Sequence, residues 1–111
     1  MSSLSTHVLD TACGRPARGM EIALWRDGAL LHRGTTNDDG RCPGLVDCAA
    51  FAAGAYRLQF HVADYFREQG VALADPPFLD IVSIDFGMAG DGHYHVPLLV
   101  SPFAYSTYRG S

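Results

Sequence analysis

A strict apolar–polar alternation, in short runs closed off by turn residues, constrains this chain more than any other feature. Tyr56, Leu58, Phe60 and Val62 alternate with Arg57, Gln59 and His61, and Gly54 marks the turn before them. A period of two puts one set on a face that can be buried and the other set on the opposite face of a strand. Met20–Arg26 repeats the pattern, with Met20, Ile22 and Leu24 on one side and Glu21, Ala23 and Trp25 on the other. Asp27-Gly28 then signals a hairpin, and Ala29–Gly34 is the returning strand. Asp80–Phe86 groups Val82, Ile84 and Phe86. Leu4–Asp10 groups Leu4, Thr6 and Val8 against Ser5, His7 and Leu9. His93–Ser101 sets Tyr94, Val96, Leu98 and Val100 against His93, His95, Pro97 and Leu99. Pro97 has no N–H for a ladder, so it marks an edge or a bulge. Ala104–Tyr108 is a last short strand.

One helix is expected, over Ala63–Gln69, with Asp64 as its N-cap and Gly70 just past its C-cap. Turn clusters fall at Asn37-Asp38-Asp39-Gly40 and Gly90-Asp91-Gly92, and Pro43-Gly44 and Pro76-Pro77 break the chain. Roughly seven or eight short strands, with a turn signal about every ten residues, point to an antiparallel β-sandwich.

Length and composition narrow the function. The 111 residues suit a single domain over 1–111. All eight basic residues are arginine. The absence of lysine removes Schiff-base chemistry, a lysine nucleophile and the phosphate-loop lysine. A net charge of -4 argues against a polyanion, so no nucleic-acid partner is expected. No run approaches the roughly 20 apolar residues of a membrane helix, and no membrane partner is expected. The first residues lack a basic, then apolar, leader pattern, and a cytoplasmic location is expected. Cys13, Cys42 and Cys48 are an odd number without a C-x-x-C pair and read as thiols of a reducing compartment. A Cys42–Cys48 bridge stays open and would still leave one thiol over.

Two strand faces do not fit a plain sandwich. His7 stands beside Leu9, and His93 and His95 stand beside Pro97 and Leu99. A face half apolar and half histidine points to contact with another subunit or a ligand. Histidine suits proton transfer near neutral pH. Taken singly, His7 reads as a surface histidine, and His32 and His61 read as structural. His93 and His95 share a face as two metal ligands would, but no third ligand has an evident place. Arg41, after an Asp-Asp-Gly turn, is a solvated arginine by default and a clamp for a carbonyl-rich substrate in the right setting.

Four segments carry a further signal. They are Leu4-Ser5-Thr6-His7-Val8-Leu9-Asp10 with Gly14-Arg15-Pro16-Ala17, then Thr36-Asn37-Asp38-Asp39-Gly40-Arg41, then His93 to Pro102, and finally Tyr105-Ser106-Thr107-Tyr108-Arg109-Gly110-Ser111. In these the chain resembles the 5-hydroxyisourate hydrolases, the transthyretin-related enzymes of urate breakdown, from residue 4 to its last residue. The resemblance implies an all-β, transthyretin-like sandwich of two four-stranded sheets with one short helix. It also implies a homotetramer, a dimer of dimers, with sites at the mouths of a central channel. The implied catalytic residues are His7, Arg41, His95 and Ser111. Tyr108 and Arg109 would bind substrate together with His7 and Arg41, and His93 sits next in line. The implied reaction is hydrolytic ring opening of 5-hydroxyisourate, a small-molecule substrate, with no metal and no organic cofactor. Either His7 or His95 would be the base. Transthyretin, the carrier of the same fold, has lysine at the place of His7 and lacks the Tyr-Arg-Gly-Ser ending. The competing reading is therefore a non-enzymatic, transthyretin-like carrier.

Overall fold

The alternating runs become the strands of two facing sheets. The structure is a computed structural model that describes residues 2–46 and 52–110. The first sheet comprises β4 (Glu21–Arg26), β5 (Ala29–Thr35), β6 (Gly54–His61) and β7 (Ile81–Met88), in the order β5-β4-β6-β7. It is antiparallel throughout. Asp27 (φ 52°) and Gly28 (φ 78°) close the β4–β5 hairpin in the left-handed pair that a two-residue turn requires. β6 and β7 pair from Gly54↔Met88 to His61↔Ile81.

The second sheet joins the two ends of the chain. β1 (Ser2–Ser5) runs parallel to β8 (Gly92–His95), and β2 (Val8–Asp10) runs parallel to β9 (Leu98–Val100). β3 (Arg15–Pro16) flanks β2, and β10 (Tyr105–Thr107) flanks β9. One register runs through both parallel pairs, from Ser5↔His95 to Val8↔Leu98. The ladder breaks where His7 faces Pro97, because proline has no N–H to give. On either side of the break, Val96 N–H donates to the Ser5 carbonyl (2.9 Å) and Leu98 N–H to the His7 carbonyl (2.9 Å). With β1/β2 and β8/β9 each taken as one interrupted strand, the molecule is the expected sandwich of two four-stranded sheets. The difference is that this sheet is mixed, since hairpin signals cannot reveal a parallel pair between chain ends.

Between the sheets lies the core. Leu4, Val8, Val96, Leu98 and Val100 from one side meet Ile22, Leu24, Leu58, Phe60 and Val82 from the other, all buried. Each fully buried side chain of this kind contributes roughly 1.5–3 kcal/mol. One buried carboxylate crosses this core. Asp10 accepts the N–H of Ala12 (2.9 Å) and Cys13 (3.2 Å) and the hydroxyl of Tyr65 (2.7 Å). Burial, and then the bond to Asp10, raise the Tyr65 hydroxyl above its ordinary pKa.

The helix carrying Tyr65 is α2, Val62–Glu68, with Val62, Ala63, Tyr65 and Phe66 buried. Its C-terminus is as expected. Gly70 N–H reaches the Arg67 carbonyl and Val71 N–H the Phe66 carbonyl, a Schellman ending. Its N-terminus is not. The N-cap is His61, without a side-chain cap, and Asp64 lies inside the first turn. There its carboxylate faces the positive end of the helix and meets Arg67 at 3.4 Å. Ala63 N–H is instead satisfied by the Asp80 carbonyl. Pro43-Gly44, read as a break, opens a four-residue helical turn, α1 (Pro43–Val46), because proline is tolerated at a first helical position. Among the described residues no helix is long and apolar enough to cross a membrane.

Candidate active site

The interrupted ladder determines where the histidines stand. Leu4, Thr6, Val8 and Asp10 are buried, while Ser3, Ser5, His7 and Leu9 are half-buried on the outer face. Parallel pairing brings His93, His95, Pro97 and Leu99 alongside them on the same face. His7 thus sits at the break, one strand over from His95.

The turn after β5 delivers Arg41. Asn37 Oδ1 accepts the N–H groups of Asp39 (3.0 Å) and Arg41 (3.1 Å), and Asn37 N–H donates to the Arg41 carbonyl (2.8 Å). Gly40 holds φ +74° there, and a Cβ on it would collide with the Val8 carbonyl oxygen. That carbonyl's own residue, Val8, donates its N–H to the Gly40 carbonyl (2.8 Å). The turn is therefore fastened to β2, and Arg41 forms an antiparallel bridge with His7.

From the other side comes the tail. Thr107 Oγ1 donates to the Pro97 carbonyl (2.7 Å), and Gly110 N–H donates to the His95 carbonyl (2.8 Å). Gly110 is buried against the His95 ring, and a Cβ on it would lie 2.5 Å from His95 Cδ2. That contact is the physical reason for glycine in the Tyr-Arg-Gly-Ser ending. Arg109 turns its guanidinium over the Tyr94 ring, 4.2 Å from the centroid, so it anchors the tail. Tyr108 is 60% exposed. Ser111 and Cys48 lie outside the described residues.

His95 is the electrostatic centre of this group. Burial first, then the charges of Arg41, His7 and His93, hold it below the ordinary histidine pKa. It is therefore neutral at neutral pH, the form that can take a proton. Its Nδ1 lies 2.7 Å from Ser5 Oγ. Among the described residues its Nε2 has no hydrogen-bond partner, and no three His, Cys, Asp or Glu side chains converge as a metal set would.

His7, Arg41 and His95 thus come together, with the tail laid across His95. Sequence reasoning missed Ser5, Asn37 and Gly110. Ser5 was on the histidine face by alternation, but its pairing with His95 depends on the parallel register. A separate concavity of about 610 Å³, lined by Trp25, Arg57, Gln59 and Asp85 on the outer face of the other sheet, includes none of these residues. His32 and His61 also stand apart: His61 pairs with Glu21 (3.1 Å), and His32 lies 3.9 Å from the buried Cys42 sulfur.

Comparison with known proteins sharpens the picture. The family model of the HIUase/Transthyretin family matches residues 4–110. The 5-hydroxyisourate hydrolase 2 of Rhizobium meliloti (strain 1021) is 58% identical over 97% of this chain and 95% of its own length. A solved 5-hydroxyisourate hydrolase of Klebsiella pneumoniae superposes with a TM-score of 0.88 at 38% identity, covering 100% of both chains. An (S)-allantoin synthase structure superposes with a TM-score of 0.92 at 43% identity; the match covers 99% of this chain and 44% of that one.

Proposed function

The chain belongs to the HIUase/Transthyretin family, and from that membership we infer that it is a 5-hydroxyisourate hydrolase, which opens the substrate ring by hydrolysis. The observation that carries this reading at the level of residues is the meeting of His7, Arg41 and His95 on one sheet face under the Gly110 tail. The product is 2-oxo-4-hydroxy-4-carboxy-5-ureidoimidazoline.

Ring opening at an amide-like C–N bond needs an activated water, a stabilised oxyanion and a protonated leaving nitrogen. His95, held neutral, takes the proton of the attacking water at Nε2. His7 holds that water or acts as the acid. Arg41 binds substrate oxygens and stabilises the developing negative charge. Tyr108, Arg109 and Ser111, on the tail anchored at Tyr94 and His95, position the substrate. No metal or organic cofactor takes part in this scheme.

Arg41, His93 and Tyr108 are exposed in a single chain, with half-buried Leu9 and Leu99 beside them. We place the homotetramer, a dimer of dimers, over this open face, so that a second copy closes the site. Light scattering tests it: a monomer at micromolar concentration refutes that assembly. A reducing, cytoplasmic setting suits the exposed Cys13 thiol.

The test of the activity is direct. Freshly generated 5-hydroxyisourate is followed by absorbance with and without the protein. Accelerated decay is expected; decay at the spontaneous rate, with saturable ligand binding, would favour the carrier reading.

A further inference from the structure

Three hydrogen bonds link four side chains in file along the β1–β8 pair. Ser3 Oγ lies 2.7 Å from His93 Nδ1. Ser5 Oγ lies 2.8 Å from His93 Nε2 and 2.7 Å from His95 Nδ1. The parallel register makes this file, pairing Ser3 with His93 and Ser5 with His95 on one face. The Ser5 hydroxyl has one proton and lies between two ring nitrogens, so it donates to one and accepts an N–H from the other.

With neutral rings, the fully bonded file has two proton arrangements. In the first, His95 Nδ1–H donates to Ser5, Ser5 donates to His93 Nε2, and His93 Nδ1–H donates to Ser3. His95 Nε2 then carries a lone pair and is a base. In the second, every donor and acceptor is reversed, and His95 Nε2 carries a proton and is an acid.

We propose that Ser5 and His93 are positioning residues that set the His95 tautomer and relay its proton, so that one histidine serves as base and then as acid. The proposal rests on the hydrolase reading above for its catalytic meaning. As His95 Nε2 takes a proton from the attacking water, Nδ1–H passes to Ser5 while the Ser5 proton passes to His93 Nε2. The hydroxide oxygen bonds the ring carbon, and the positive charge now rests on His93. When the C–N bond breaks, the file shifts back and Nε2–H goes to the leaving nitrogen, so the proton count closes.

The surroundings favour this outward movement of charge. His95 faces Arg41 from the turn before α1, His7 from the ladder break and His93 from its own strand, and it is half-buried. His93 is exposed, where water stabilises an imidazolium. The relay therefore moves three protons together in the step in which water attacks: water to His95 Nε2, His95 Nδ1 to Ser5, and Ser5 to His93 Nε2.

The decisive experiment is ¹⁵N NMR of imidazole-labelled, substrate-free protein at neutral pH, which reads the His95 tautomer directly. Wild type is expected to carry the proton on Nδ1, Ser5→Ala to lose that preference, and Ser5→Thr to keep it. A wild-type His95 protonated on Nε2, or an unchanged tautomer in Ser5→Ala, overturns the proposal whether or not the protein turns over any substrate. In kinetics, Ser5→Ala should lower kcat by about 10- to 100-fold with KM little changed, a part of what positioned proton transfer contributes. Ser5→Thr should restore it. A proton inventory in H2O/D2O mixtures should show several protons in flight in wild type and fewer in Ser5→Ala; identical inventories overturn the relay. His93→Gln, at an exposed position, should reproduce the reduced inventory should Ser5→Ala fail to fold. Absent wild-type turnover removes the hydrolase reading and leaves the tautomer result to stand or fall alone.

Discussion

The two sheets of this sandwich are built from the same alternating pattern, yet their outer faces differ in kind. On β4, β6 and β7 the polar residues pair with one another across neighbouring strands. Arg57 holds Asp85 (2.6 Å), Gln59 meets Ser83 (3.2 Å), and His61 meets Glu21. The Arg57 and Asp85 charges cancel, and the register comes from long antiparallel pairing with one tight turn, at Asp27-Gly28. On the mixed sheet, three histidines and Arg41 gather, and among the described residues no acidic side chain partners His95. There the register joins chain ends, and proline interrupts it. A face whose charges are cancelled is a solvated wall, whereas a face that gathers an arginine and histidines around a neutral imidazole is poised for an anionic or carbonyl-rich ligand.

Substitutions can break or sharpen that contrast. The largest effect is expected from His95→Ala, which should lower the ring-opening rate by about 10²- to 10⁴-fold, measured against spontaneous decay. A rate equal to wild type would remove His95 from the chemistry. Arg41→Gln comes next, with a loss of about 10²- to 10³-fold expected for a charge-stabilising donor. It carries a pH signature as well. Arg41 lowers the His95 pKa, and the active form is the neutral one, so activity rises as pH rises through that pKa. Without Arg41 that pKa rises, and the acid limb of the profile should move to higher pH; a shift to lower pH would contradict the assignment. Gly110→Ala should cost about 10- to 100-fold, because its Cβ must displace the His95 ring. Circular dichroism should remain that of the wild type, separating a misplaced imidazole from an unfolded protein. Arg57→Gln, on the cancelled face, should leave the rate unchanged and the melting temperature nearly so, since that ion pair is exposed. A large rate loss there would erase the distinction between the sheets.

Most strands were legible because alternation is a local property. The Tyr56–Val62 pattern finds the body of β6, although Gly54, read as the turn, already pairs with Met88 inside the strand and Val62 opens α2; Asp27-Gly28 marks the β4–β5 hairpin by chemistry alone. Gly70 marked the helix end for the same reason. Asp64 was misplaced as a cap because a carboxylate is favoured anywhere in a first helical turn, and the chain entering from β6 occupies the cap position. β3 was missed because two residues cannot show a period. In the site, the resemblance named His7, Arg41 and His95, and the mixed faces had already set the histidines apart. Ser5, Gly110 and Asn37 acquire their roles only through partners: His95 for the first two, and the Arg41 turn for the third.

By itself, then, the sequence determined which residues of each strand face inward, where the tight turns fall, and that no lysine is available for chemistry. These follow from dihedral preferences and side-chain identity, which act over a few residues. Tertiary structure decided that the first and last strands run parallel, that Pro97 opens the ladder opposite His7, and that Ser5 stands between His93 and His95. Those depend on a register between segments at opposite ends of the chain. That register is selected by burying Leu4, Val8, Val96 and Leu98 in one core, which no local pattern encodes.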